Sequence, residues 1–319
     1  MEKFTPERAI VEAIREEMER DDRVIFFGEG VATKHYELVK EFGKERIRNV
    51  PLAEGIIVGT AVGASATGLR PIVDILFAPF ITYAMEEFVN SAGKLRYISG
   101  GQFSFPLVVM GMTGGGWCVG AHHNHNIESW FIHAPGIYVV MPSAARDFKG
   151  LLKSSIRDEN PVFFFIDIGL LHMPGEVPEQ EYTTPLGKAK VILEGEDITL
   201  ISWGKTVYRA VEAAEELAKE GIQIEVMDLM TLKPLDQESI LNSVSKTNHL
   251  VVVHEASRNC GFGAEIAAIV SEEAFEYLKG PVVRVTGPDA PPPSSYVLEQ
   301  AFAPDKDKII AGVKRALGV

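Results

Sequence analysis

Four of the chain's eight histidines fall in one stretch, "GAHHNHNIESWFIHAPG", residues 120–136. His122, His123, His125 and His133 stand there among small residues, asparagines and aromatics. Two kinds of chemistry suit such a cluster. An H-x-H pair with His122 or His133 as a third donor has the makings of a metal site. However, no cysteine pair and no H-E-x-x-H helix accompanies it, and Glu128 is the only carboxylate in the stretch. Acid–base work or substrate binding asks less, because an imidazole ordinarily titrates near neutrality. The stretch favours that second chemistry.

Other residues invite a chemical reading. Glu54, in "NVPLAEGIIVG", precedes a run of small residues with the look of a closely packed helix. A first-turn glutamate complements the helix dipole. Held among apolar residues, the same carboxylate could donate to a ring nitrogen of a cofactor. The stretch alone leaves both open. Phe77, Phe80 and Tyr83 recur at spacings of three, which suits one face of a helical turn. Such a face is either core or a stacking surface for a flat heterocycle. The glycine-rich "GEGVAT" and "MTGGGWCVGA" match neither G-x-G-x-x-G nor G-x-x-x-x-G-K-[ST], so dinucleotide and P-loop sites are excluded on pattern.

The elements that must position these residues are legible. Thr5 and Pro6 read as an N-cap and first helical residue, followed by the apolar stripe Ile10, Val11, Ile14 and Met18. "RVIFFGEG", "RPIVDILF", "FPLVVMGM", "GIYVVMPS" and "PVFFFID" read as buried strands, and helical segments separate them. "TYAMEEFVNSAGKLRYISGG" predicts one helix. Alternation of this kind means an α/β fold with a mainly parallel sheet. "HMPGEVPEQEYTTPLG" has linker composition, and beyond it the alternation restarts on a smaller scale, ending at the strand "PVVRVTG". Two domains are expected, residues 1–183 and 184–319.

Composition bounds the setting. Hydrophobic residues make up 46% of the 319 and charged ones 24%, ordinary for a globular chain. The net charge of −13 argues against nucleic acid and anionic membranes as partners. No apolar run reaches the length of a membrane span. The acidic, amphipathic N-terminus does not read as a signal peptide. Cys118 and Cys260 are the only cysteines, and free thiols in a reducing cytoplasm are expected.

Taken together, "FGEGV", "VPLAEGIIVGTAVGASATGLRPIVDILF", "NSAGKLRYISGGQ", "GAHHNHNIESW", "PGIYVVMPSAARDFKGLL", "MDLMTLKPLD", "VVVHEASRNCGFGAEIAA" and "PDAPPPSSYVLE" resemble, in order, the β subunit of the thiamine-diphosphate-dependent first component of 2-oxo acid dehydrogenase complexes. The acetoin-cleaving relatives share the pattern. The resemblance implies a transketolase-type pyrimidine-binding domain followed by a smaller transketolase C-terminal domain. It implies a 2-oxo acid decarboxylase that passes the acyl group to a lipoyl domain, with acetoin or acyloin chemistry as the alternative. It also implies an α subunit, an α2β2 assembly and a lipoyl acyltransferase. That α subunit holds the diphosphate and magnesium through a G-D-G motif, which is absent here.

By the same resemblance, Glu54 is the glutamate that activates the aminopyrimidine ring. Phe80 packs on that ring with Tyr83 beside it, and Glu29 is a further site residue. His123 faces the thiazolium ring and substrate. The family's Ser-Gln after this histidine is replaced by Asn124-His125. If the stretch is extended, side chains alternate along it and His122 points away from His123. "SSIRDENP" resembles a potassium-binding turn. Its ligands would be the carbonyls of Leu107, Ser155, Ile156 and Asp158 and a group from Asn160.

Overall fold

A computed structural model describes residues 1–319, and its strands fall on the apolar runs. Contacts group the chain into two units. The first holds Met1–Thr113 and Trp130–Leu186, and the second holds Gly114–Ser129 and Gly187–Val319. The histidine turn therefore leaves the unit that precedes and follows it and belongs with the C-terminal residues. No helix is long and apolar enough to cross a membrane.

In the first unit, a short strand β1 (Glu2–Phe4) precedes the sheet strands. These are β2 (Val24–Gly28), β3 (Ile47–Asn49), β4 (Arg70–Phe77), β5 (Val108–Thr113), β6 (Tyr138–Val140) and β7 (Val162–Asp167). They lie parallel in the order β6-β7-β5-β4-β2-β3. Phe163, Phe164 and Phe165 in β7 are all fully buried. Successive strand residues face opposite sides, so both faces of this sheet must be covered. Phe163 meets Phe131 edge to face at 4.8 Å and Phe88 at 5.7 Å.

The first helix, Pro6–Arg20, starts where Thr5 accepts from the Arg8 amide. It packs against helix Ala145–Arg157 through charges as well as apolar contacts. Lys153 is fully buried and meets Glu16 at 2.5 Å and Glu181 more closely still. Arg157 reaches Glu17 at 2.6 Å and Glu181 at 2.7 Å. The segment expected to be a linker is thus fastened down. Its strand β8 (Gly175–Val177) pairs antiparallel with β1. The Tyr182 hydroxyl donates to the Arg146 carbonyl at 2.8 Å, and the Ser154 hydroxyl to the Thr184 carbonyl at 2.5 Å. Proline removes ladder donors but leaves side chains and carbonyls free to anchor.

The single helix expected after the aromatics is three pieces: a 3₁₀ segment Ala78–Ala84, a π-helical turn Glu86–Ala92 and an α-helix Gly93–Ile98. The 3₁₀ geometry makes residues three apart eclipse. The buried row, however, is Ala78, Ile81 and Ala84. The spacing of three was real, but its phase put Phe80 beside the core rather than in it and left Tyr83 74% exposed.

In the second unit, β9 (Lys190–Leu193), β10 (Ile198–Ser202), β11 (Ile224–Asp228), β12 (Thr231–Lys233), β13 (Leu250–Ser257) and β14 (Val283–Gly287) follow in sequence. A five-stranded sheet runs β14-β13-β10-β11-β9, with only β9 antiparallel. Ile198, Leu200, Val226, Val251 and Val253 build its core with helices Thr206–Ala218 and Lys306–Leu317. Helix Tyr296–Phe302 lies beyond the last expected strand.

One glycine couples the first sheet to the aromatic segment. A Cβ on Gly111 of β5 would lie 2.8 Å from the Cα of Ala78 and 2.9 Å from its nitrogen, closer than real Cβ contacts come. Gly111→Ala should therefore push the Ala78–Ala84 segment off the sheet and lower the unfolding free energy by about 1–3 kcal/mol, as overpacking does. Urea unfolding of the variant checks this.

Candidate active site

Strand order directs attention to one end of the first sheet. The chain leaves β2 for β3 on one side, then returns to β4 on the other side of β2. Ligands in open parallel sheets gather where the connections part in this way, beyond the carboxyl ends of the strands. Glu29 follows the end of β2, Glu54 follows β3, and Phe77 closes β4. Three of the residues that the sequence singles out thus lie at or after the carboxyl ends of these strands. A fourth, Phe80, joins through Phe77, ring centroids 5.9 Å apart and edge to face.

Glu54 is the first residue of helix Glu54–Ala66 and is buried, at 8% exposure. No other side chain or amide of the chain hydrogen-bonds or ion-pairs its carboxylate. A carboxylate without a partner in the chain keeps its acceptor positions open to a donor from outside it. The helix start offers it only the dipole. Behind it, the helix approaches the aromatic segment closely, since a Cβ on Gly55 would lie 3.0 Å from the Tyr83 carbonyl.

At the end of β4 the register shifts between Asp74 and Phe77, and Leu76 takes φ +65°. Few residues with side chains adopt that conformation. The Asp74 carboxylate accepts from the Leu76 amide at 2.8 Å and holds the kink. Burial lifts the Asp74 carboxyl above its ordinary range, while Lys34 at 3.9 Å opposes the shift. The kink turns Phe77 toward Phe80. Glu29 is half-buried and next to Gly30, itself left-handed at φ +65°.

The histidine stretch is a turn, not an extended segment, so side chains do not alternate along it. Gly120, at φ +81°, presents its carbonyl to the amides of both His123 and Asn124, each at 3.1 Å. The reversal leaves His122 exposed and His123 and His125 half-buried, with His133 exposed on helix Glu128–His133. Burial draws the His125 imidazole below its ordinary value. No group of three or more His, Cys, Asp or Glu is arranged to hold a metal ion.

Asn124 is 1% exposed and faces inward. Its Nδ2 donates to Glu299 Oε1 at 2.7 Å. Glu299, on helix Tyr296–Phe302, and Glu255, on β13, were missed in the sequence. Glu255 accepts from the Gly115 amide at 2.6 Å and pairs with Lys205 at 2.5 Å. The one signal available was an acid ending the apolar run "VVVHEA".

The expected potassium ligands lie together, but the structure gives several of them other partners. Arg70 Nη1 donates to the carbonyls of Ile156 and Asp158, both at 3.0 Å, and Arg70 pairs with Glu159. The Leu107 carbonyl accepts from the Val162 amide at 2.9 Å. Asn160 accepts from Arg96 at 3.1 Å and donates to Asp158 at 2.8 Å. Ser155 gives its hydroxyl to the Leu151 carbonyl. A guanidinium already supplies positive charge there.

Residues 2–173 match the family model "Transketolase, pyrimidine binding domain", and residues 187–309 match "Transketolase, C-terminal domain". The acetoin:2,6-dichlorophenolindophenol oxidoreductase subunit beta of Bacillus subtilis (strain 168) is 39% identical, over 97% of this chain and 96% of that protein. The 2-oxoisovalerate dehydrogenase subunit beta of the same strain is 41% identical, over 96% of each. The pyruvate dehydrogenase E1 component subunit beta of Rickettsia felis is 41% identical over 98% of each. A solved structure titled "Split gene transketolase, inactive beta4 tetramer" superposes with a TM-score of 0.84 at 26% identity, over 99% of both chains.

Beneath the histidine turn, Trp203 donates to Glu128 Oε1 at 3.4 Å and stacks on His254, ring centroids 5.1 Å apart. His254 is fully buried. Burial, helped by the charge of Arg284, pulls its imidazole down to about 4. The unfolded chain takes up that proton near 6.5. The neutral ring thus adds stability that is complete above about pH 6.5 and is lost as pH falls toward 4. At pH 5 the loss should be about 2 kcal/mol. His35, also drawn to about 4 by burial, adds the same trend. Comparing urea unfolding at pH 7 and pH 5 for the protein and for His254→Met isolates the His254 share, which should vanish in the variant.

Proposed function

The chain belongs to the family of dehydrogenase first-component β subunits built from transketolase pyrimidine-binding and C-terminal domains, and we propose that it is the pyrimidine-side half of an enzyme that decarboxylates a 2-oxo acid. The family depends on thiamine diphosphate. The acyl group would pass to the lipoyl domain of an acyltransferase. The observation that carries this is Glu54, a buried acid with no partner of its own at the switch point of the sheet.

The residues present fit the cofactor. Glu54 lacks the hydrogen bond that a ring nitrogen of an aminopyrimidine would provide, and the half-buried Phe80 has an aromatic face to offer a flat ring. When bound, thiamine diphosphate supplies the electron sink for cleavage beside a carbonyl. Glu54 would hold a proton at the ring nitrogen. Phe80 would fix the ring's plane, with Glu29 as a further polar wall. Tyr83, exposed, would serve a partner chain or the rim of the site rather than its floor. His123 would hold or move a proton on the substrate side.

An α subunit completes the site. It would bring the diphosphate groups and magnesium, for which this chain has no G-D-G motif. An α2β2 assembly in the cytoplasm is the form we propose. Potassium at residues 155–160 is proposed on resemblance alone and would have to share the Ile156 and Asp158 carbonyls with Arg70.

Coexpression with the α chain tests this. The purified pair should turn over a 2-oxo acid, read with an artificial electron acceptor and with a lipoyl domain. Pyruvate, branched 2-oxo acids and acetoin should be compared, and this chain alone should be inactive. Full turnover by the lone chain would sink the two-chain scheme, and turnover of acetoin alone would replace decarboxylation with acyloin cleavage.

Glu54→Gln keeps volume and one hydrogen bond but loses the acidic proton. It should slow deuterium exchange at the thiazolium carbon of the cofactor in the assembled pair. If Glu54 were only a dipole partner, the change would instead cost about 0.3–1 kcal/mol of stability and leave exchange as it was.

A further inference from the structure

We infer that Glu299 is a positioning residue for the histidine turn, an inference that rests on the role given to His123 above. Glu299 lies on helix Tyr296–Phe302, whose preceding residues Tyr296, Val297 and Leu298 are exposed. It alone among them turns inward, to 4% exposure. One oxygen, Oε1, accepts from the Cys118 amide at 3.1 Å and from Asn124 Nδ2 at 2.7 Å. The other, Oε2, lies 3.3 Å from Cys118 Sγ. Burial and this carboxylate raise the Cys118 thiol above its ordinary value, so it stays protonated and can donate.

The two residues that Glu299 grips stand on either side of the turn. Cys118 has φ +54°, unusual for a residue with a side chain. Asn124 follows His123 directly. Between them, Gly120 closes the turn on the His123 and Asn124 amides. The upstream end is fixed separately, where Lys205 bridges Glu255 and the Gly115 carbonyl while Glu255 accepts from the Gly115 amide. Apolar packing could bury the turn but would not fix its direction. Three directional bonds to one carboxylate set where His123 points. Asn124, whose replacement of serine marked a departure from the family pattern, thus serves this grip through its Nδ2.

Glu299→Gln keeps the shape but swaps one acceptor oxygen for an NH2 group, which then opposes the Cys118 or Asn124 donors. In the assembled pair with α, kcat should fall about 10- to 100-fold, the scale of a small misplacement of a reacting group. Amide hydrogen exchange across residues 115–124 should quicken. The loss should largely disappear in a His123→Ala background. Unchanged exchange in that stretch would overturn the grip whatever the kinetics. A loss that persists in full when His123 is already alanine would overturn positioning through His123. If His123→Ala itself leaves turnover intact, the role of His123 fails, and with it this inference, while faster exchange would show the grip to be purely structural. Asn124→Ala, which removes one bond of the three, gives the same readouts should Glu299→Gln not fold.

Discussion

Two buried carboxylates, Glu255 and Glu299, determine the course of the histidine turn. The segment they hold is rich in glycine. Its amides need acceptors away from water, and the acids need donors. Each need answers the other. Removing either partner would leave a polar group buried and unsatisfied, costing more than the bond itself contributes. This mutual dependence lets a glycine-rich loop keep one shape.

The first unit treats its acid in the opposite way. Glu54 is buried too, yet nothing in the chain answers it. In the parallel sheet, Glu29 and Glu54 follow the carboxyl ends of β2 and β3, and Phe77 closes β4 between its neighbours β2 and β5. The kink at Leu76, held by Asp74, then aims the aromatics. Glu255 and Glu299 hold backbone within the chain, whereas the Glu54 carboxylate holds none.

Much of this was legible in the sequence. Apolar runs located the strands, and alternation gave the parallel sheets. Glu54 stood out because an acid opened a run of small residues. What could not be read depended on contacts distant in sequence. Glu299 and Asn124 are 175 positions apart and meet only after folding. The π-helical turn at Glu86–Ala92 has no signature that separates it from an α-helix. The phase of the Ala78–Ala84 row depended on which residues the sheet would cover, and composition misjudged a proline-rich segment whose side chains anchor it.

The grouping of Gly114–Ser129 with Gly187–Val319 bears on how the gene could be divided. The obvious cut, between Leu186 and Gly187, would not separate two self-sufficient halves. The N-terminal fragment would carry the histidines but lose the acids that shape them. The C-terminal fragment would keep Glu255 and Glu299 with no amides to accept from. A fusion, shuffling or circular permutation that respects the domain models alone would break this dependence. A recombinant that keeps this dependence carries residues 114–129 together with Lys205, Glu255 and Glu299.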